Sequence, residues 1–120
     1  MTRKEQIWVI DDDHAIRWVL EKALQRDDMA VKSFDSAMGA IEALRQGRPD
    51  AIIADIRMPG MSGLELLARL RERAPDLPVI IMTAHSDLDS AVSAYQGGAF
   101  EYLPKPFDVD EAVALVRRAC

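Results

Sequence analysis

The sequence predicts an α/β domain with a five-stranded parallel sheet and helices on both faces. Three observations lead there. Five short apolar runs recur along the chain, and amphipathic helical patterns fill the gaps between them. Two of the runs, Ala51-Ile-Ile-Ala and Val79-Ile-Ile-Met, do not alternate with polar residues. Such strands are covered on both faces, as the strands of parallel sheets are. Strand and helix alternating throughout a chain is the pattern of a sheet layered between helices.

The elements follow in order. The first strand lies at residues 7–10, a run too short for a helix and rich in Ile and Val. Ile16, Val19, Leu20, Ala23 and Leu24 then make the apolar face of a first helix. Residues 30–34 form the second strand, and Ala37, Ile41 and Leu44 support a second helix that stops at Gly47. The third strand is residues 51–54. Ser62 with Glu65 reads as a capping box that starts the third helix, whose face is Leu64, Leu67 and Leu70. The fourth strand is residues 79–83. Leu88, Val92 and Tyr95 give the fourth helix a thin apolar face, and Gly97-Gly98 ends it. The fifth strand is residues 100–103, and an Asp-based box of Asp108 and Glu111 opens the last helix. Crossovers between parallel strands are right-handed. Five strand–helix units in one sheet suggest the flavodoxin-like strand order 2-1-3-4-5, with its switch point between strands one and three. Ligands of open α/β sheets bind outside the carboxyl ends of the strands at that point.

Composition bounds the function. A chain of 120 residues has the size of one ordinary domain and buries a core without staples. With 49% hydrophobic and 29% charged residues it falls in the soluble globular class. A net charge of −5 argues against nucleic-acid binding by this segment, which would need a basic face, but leaves room for a DNA-binding domain in a longer parent chain. Cys120 is the only cysteine, so no internal disulfide forms, and a cytoplasmic setting fits. The N-terminus lacks the apolar region of a signal peptide, and no stretch is long enough to span a bilayer. Membrane association is therefore not expected.

Chemistry gathers at the strand ends. Strand one ends in Asp11-Asp12-Asp13, strand three in Asp55 and strand four in Thr83, and Lys105 follows strand five. Carboxylates brought together repel, and each raises the pKa of the others. A hard divalent cation relieves that repulsion, and Mg²⁺ favours oxygen ligands. A carboxylate, a metal, a lysine and a hydroxyl are what phosphoryl transfer to an aspartate needs. Asp55 would be the nucleophile, and Mg²⁺ with Lys105 would neutralise the transferring oxygens. Thr83 would donate a hydrogen bond to the attached group. Taken singly, each residue has an ordinary reading: a helix cap for one of the three aspartates, Asp13 before the others; a turn for Thr83; a solvated surface for Lys105.

From Ile7 to Val116 the chain resembles the response-regulator receiver domains of two-component signalling. The resemblance is carried by Asp11-Asp12 followed by Arg17, by Asp55-Ile-Arg-Met-Pro-Gly-Met-Ser-Gly63, by Met82-Thr83-Ala84 and by Lys105-Pro106-Phe107. It implies that Asp55 accepts the phosphoryl group from a sensor histidine kinase. It also implies that Asp12 touches the metal directly and Asp11 mainly through water, although the run of three aspartates leaves the register open by one and Asp13 remains an alternative. The backbone carbonyl of Arg57 would be a further ligand. Lys105 would bridge the phosphoryl group, with a cis Lys105-Pro106 bond. Thr83 would move toward the phosphoryl group, and Tyr102 occupies an aromatic switch position; by its sequence alone Tyr102 is a half-buried strand residue.

The finer resemblance is to nitrogen-regulation activators that work with an alternative sigma factor. It lies in Asp55-Ile-Arg-Met-Pro-Gly-Met, Met82-Thr-Ala-His-Ser-Asp-Leu-Asp89 and Gly98-Ala-Phe-Glu-Tyr-Leu-Pro-Lys-Pro-Phe107. It implies a receiver excised from a longer transcription regulator with an ATPase and a helix-turn-helix domain, and leaves dimerisation on phosphorylation open. A stand-alone phosphorelay receiver is the alternative.

His85, two residues after Thr83, is either a rim residue that tunes hydrolysis or a solvated loop residue. His14 beside the aspartates is poor evidence for a transition-metal site. Trp8 and Trp18 read as packing residues. Residues 86–95 lack strong apolar anchors, so the fourth helix is expected to be marginally stable and to move on phosphorylation. Three rival functions meet contrary features. A dehalogenase-type phosphatase places an aspartate two residues after its nucleophile, where this chain has Arg57; slow self-dephosphorylation of Asp55 is still expected. A flavin or nucleotide module would carry a glycine-rich loop after strand one. A degenerate receiver would lack one of Asp55, Thr83 and Lys105.

Overall fold

The computed structural model describes residues 4–84 and 86–120. Its elements alternate as β1 (Gln6–Ile10), α1 (His14–Arg26), β2 (Ala30–Phe34), α2 (Ala37–Leu44), β3 (Ala51–Asp55), α3 (Gly63–Arg73), β4 (Val79–Ala84), α4 (Leu88–Gln96), β5 (Glu101–Lys105) and α5 (Val109–Ala119). All pairings are parallel, and the sheet order is β2-β1-β3-β4-β5. This is the flavodoxin-like order that the alternation predicts, with the switch point between β1 and β3.

The strands alternate sides with a period of two, so one sheet supports two cores. Trp8, Ile10, Ile52, Ala54 and Val79 point to the layer holding Ala40, Ile41, Leu66, Leu67 and Leu70 of α2 and α3. Ile7, Val9, Ala51, Ile53 and Ile80 point to the layer holding Leu20, Leu24, Leu115 and Val116 of α1 and α5. β3 is buried along its whole length, which explains its unbroken apolar run up to Asp55.

Caps fix where the helices begin. Ser62 accepts from the N–H of Glu65 at 3.2 Å, and Ser36 from that of Gly39 at 3.2 Å. Asp108 caps α5 through the N–H of Asp110 at 2.8 Å, one residue earlier than the spacing to Glu111 suggests. Gly63 at the first position of α3 lies against the end of β3: a Cβ there would stand 2.4 Å from the Asp55 carbonyl oxygen and 2.8 Å from Ile56 Cα. That close approach sets α3 directly behind the aspartate that ends β3.

Four expectations need correction. β5 begins one residue later than expected and runs through Lys105, because backbone pairing with β4 continues to Thr83↔Pro104 and Ala84↔Lys105. A proline in the strand hid this, and β5 tolerates it as an edge strand. In α3 Leu66 is fully buried and Leu64 only partly. Trp8 does pack, its ring 5.0 Å from that of Phe34, but Trp18 is 54% exposed on α1, with the Lys22 ammonium 6.0 Å from its ring centre.

The fourth correction is the phase of α4. Leu88, Val92 and Tyr95 are 67%, 47% and 45% exposed, whereas Ala91 and Ala94 are buried. Both sets have helical spacing, so periodicity alone selected the bulkier one. The helix lies close to its neighbours, with Gly97 so near that a Cβ would stand 3.1 Å from Leu67 Cδ2, and that gap admits methyl groups. No helix among the described residues is long and apolar enough to cross a membrane.

Candidate phosphoacceptor and metal site

The carboxyl ends of β1, β3, β4 and β5 converge. Asp11 follows β1 and its side chain is fully buried. Its backbone is held from two sides: its N–H donates to the Phe34 carbonyl at 3.1 Å, and its own carbonyl accepts from Arg17 Nη1 at 2.7 Å. Asp11 Oδ1 accepts from the Asp13 N–H at 2.9 Å, and Oδ2 accepts from Lys105 Nζ at 2.9 Å. Lys105 Nζ also stands 3.1 Å from Asp55 Oδ1. One ammonium therefore bridges two carboxylates.

Asp11, Asp12 and Asp55 each offer a carboxylate oxygen, and the three oxygens lie within 4.8 Å of one another. An all-oxygen, multiply anionic donor set suits a hard divalent cation such as Mg²⁺. Asp12 is exposed, so the set opens to solvent. Asp13 does other work: its Oδ1 accepts from the N–H groups of Ala15 at 2.9 Å and Ile16 at 3.4 Å, capping α1. Among the described residues, His14 does not join the three carboxylates.

The electrostatics follow from burial and crowding. Burial pushes the Asp55 carboxyl above its ordinary range, and the Asp11 charge adds to the rise; the hydrogen bond from Lys105 works against both. Burial also works against the Lys105 charge. Hydrogen bonds to Asp11 and Asp55 outweigh it and hold that amine above the ordinary lysine value. Two carboxylates thus share one ammonium.

Thr83 is buried on β4, and Tyr102 is half-buried on β5. Both line a cavity of about 80 Å³, together with Ala84, Asp87, Leu88, Ala91 and Pro104. The Tyr102 ring meets Tyr95 of α4 edge-on, with centres 5.4 Å apart. The Arg57 side chain pairs with Asp87, Nη2 to Oδ2, at 2.9 Å. The sequence reading of His85 falls outside the described residues. Asp87 and Tyr95 join this neighbourhood without having been expected there. Asp87 carries a readable signal, an acidic residue immediately before a helical pattern, and it caps α4 through the Ser90 N–H at 3.2 Å.

Residues 7–117 match the family model described as response regulator receiver domain. The chain is 62% identical over 113 residues to the DNA-binding transcriptional regulator NtrC of Escherichia coli K12, covering 94% of this chain and 24% of that protein. It thus spans about a quarter of the length of the curated relatives it matches. Among solved structures, it is 58% identical to the receiver domain of nitrogen regulatory protein C, covering 98% of this chain and 95% of that one. The TM-score is 0.89 to the apo form of that domain and 0.83 to its BeF3-activated form.

Proposed function

This chain belongs to the response regulator receiver domain family, in its NtrC-like group, and from that premise we propose that it takes a phosphoryl group onto Asp55 from a sensor histidine kinase and stores it as a signal. The observation that carries this reading is Lys105 Nζ, held 3.1 Å from Asp55 Oδ1 and 2.9 Å from Asp11 Oδ2 at the switch point of the sheet.

Each residue has a part. An Asp55 carboxylate oxygen attacks the phosphorus of the donor phosphohistidine. A P–O bond forms as the P–N bond breaks, and the electron pair leaves on the donor imidazole, which takes up a proton from solvent. Lys105 stays charged and faces the oxygens of the arriving group. Asp11, Asp12 and the Arg57 backbone carbonyl would hold Mg²⁺. The bound cation would neutralise negative charge on the phosphoryl oxygens. Arg17 fixes the Asp11 backbone from which that geometry hangs. The domain is not a dedicated hydrolase: it promotes its own phosphorylation and slowly reverses it.

The read-out runs through Thr83, Tyr102 and α4. Thr83 and Tyr102 border one cavity, which supports a concerted movement of the two. The exposed stripe of Leu88, Val92 and Tyr95 would then meet the output part of a longer, cytoplasmic transcription regulator, in line with the quarter of the relatives' length spanned here. That part would carry the ATPase and DNA-binding functions, leaving nucleic acid to other domains, and phosphorylation would favour a dimer. Incubation with acetyl phosphate and Mg²⁺ followed by intact-mass measurement tests the chemistry. One added phosphoryl group that Asp55→Asn abolishes is expected; no gain, or an undiminished gain in Asp55→Asn, would overturn it.

A further inference from the structure

The amino-terminal edge of the sheet, opposite Asp55, carries a second concentration of charge, and it is positive. Helices that join parallel strands run back along the sheet, so α2 and α3 both end at that edge. Between their ends lies a cavity of about 260 Å³ lined by Leu44, Arg45, Gly47, Arg48, Arg73 and Ala74. A second cavity of about 220 Å³ adjoins it across Gly47 and Arg48 and adds Lys32 and Trp8. Four of the residues lining the pair are cationic and none is acidic. In the whole chain acidic residues outnumber Lys and Arg by 20 to 15, so composition does not explain the bias.

Ordinary roles account for only part of this charge. Arg45 pairs with Glu42 at 3.2 Å and Arg48 with Asp76 at 3.1 Å, but both pairs are open to solvent, and such pairs hold their partners weakly. A basic residue in the last turn offsets the negative end of a helix dipole. Arg71 already supplies that charge to α3, and Arg73 makes no ion pair among the described residues. Three guanidiniums thus line one cavity beside the aliphatic surface of Leu44 and Ala74. A guanidinium fork matches phosphate oxygens two at a time, and two linked phosphate groups engage more than one fork at once. Together the cavities reach the size of small-molecule sites, roughly 300–1,000 Å³. We propose that they form a binding site for a small diphosphate-bearing molecule. Its phosphate groups lie among Arg45, Arg48 and Arg73, and its organic part occupies the cavity beside Trp8 and Lys32. The site is separate from the chemistry at Asp55, which ends the opposite edge of the sheet.

The test is calorimetric titration of the whole chain with inorganic pyrophosphate, ADP and inorganic phosphate, at physiological salt and without divalent cations, so that the carboxylates at Asp55 hold no metal for the phosphates to bridge. Pyrophosphate and ADP should bind, and inorganic phosphate should bind about tenfold more weakly or worse. Amide shifts in ¹⁵N-labelled protein should centre on residues 44–48 and 73–76. Arg73→Ala and Arg48→Ala should each weaken pyrophosphate binding by about tenfold, and Arg73→Lys should restore part of it. Arg26→Ala removes an exposed arginine that lines a different cavity, between α1 and α5, and should leave binding unchanged. Arg73→Ala should still take up a phosphoryl group from acetyl phosphate and Mg²⁺, which shows that it folds. No binding of pyrophosphate, an equal loss in Arg26→Ala, or shifts centred on residues 11–13 would overturn the site. Tighter binding of a hexaglutamate peptide than of ADP would overturn it too, and would assign the cavities to an acidic protein segment. Failure of the wild type to accept a phosphoryl group would remove the reading of Asp55 and leave this site standing.

Discussion

The buried carboxylate of Asp11 holds the ammonium of Lys105 at 2.9 Å across 94 positions of sequence. This contact ties the end of β1 to the end of β5 and aims a permanent positive charge at Asp55. Removing the cation leaves a fully buried carboxylate unpaired. Lys105→Met should therefore cost up to about 3 kcal/mol in urea unfolding without divalent cations, with part of the loss recovered on adding Mg²⁺.

The raised pKa of Asp55 makes stability fall with pH. Its folded form holds its proton to higher pH than its unfolded form does, because burial and Asp11 oppose the charge. Between the two pKa values the folded state binds more protons, so stability declines as pH rises through that window. Urea midpoints measured in chelator across the acid range should show this decline superimposed on the titration of the other carboxylates. Asp55→Asn should remove it and raise the midpoint at neutral pH. Mg²⁺ should stabilise the wild type more than Asp55→Asn.

Asp12 and Asp13 adjoin in sequence but should separate cleanly in experiment. Asp13→Ala deletes the α1 cap and should cost about 1 kcal/mol while Mg²⁺ affinity changes little. Asp12→Ala should weaken Mg²⁺ binding, followed by tryptophan fluorescence, without lowering stability in chelator.

Gly63 should not accept a side chain. A Cβ at 2.4 Å from the Asp55 carbonyl oxygen forces backbone to move, not a flexible side chain. Gly63→Ala should destabilise by about 1–3 kcal/mol and reduce phosphorylation by acetyl phosphate, because the displaced atoms belong to the phosphoacceptor.

The rotation of α4 predicts an inversion of the usual hydrophobic ranking. Leu88→Ala should change stability by no more than about 0.5 kcal/mol, because the leucine is exposed. Ala94→Leu should cost about 1–3 kcal/mol, since Ala94 is fully buried. Leu70→Ala, in the core of α3, should cost about 2–5 kcal/mol. Urea denaturation of the three variants settles the order.

Apolar periodicity and cap residues are local properties, so whatever depends on them is legible in the chain. The five strands and five helices of the described residues, and the sheet order, follow from the runs between residues 7 and 116 and from Ser62 and Asp108. Because parallel strands all end at one edge, the meeting of Asp11, Asp12, Asp55 and Lys105 was legible too. Which groups those residues contact depends instead on how the layers pack. That packing allotted Asp13 to the α1 cap, set Lys105 inside β5 through pairing with Ala84, and turned Ala91 and Ala94 of α4 inward. It also joined Arg57 to Asp87, 30 positions away. Each of these depends on how far apart two elements come to rest and on which faces them. A strand or helix carries its own period but neither its phase nor its neighbour, which are fixed only when the layers close on one another.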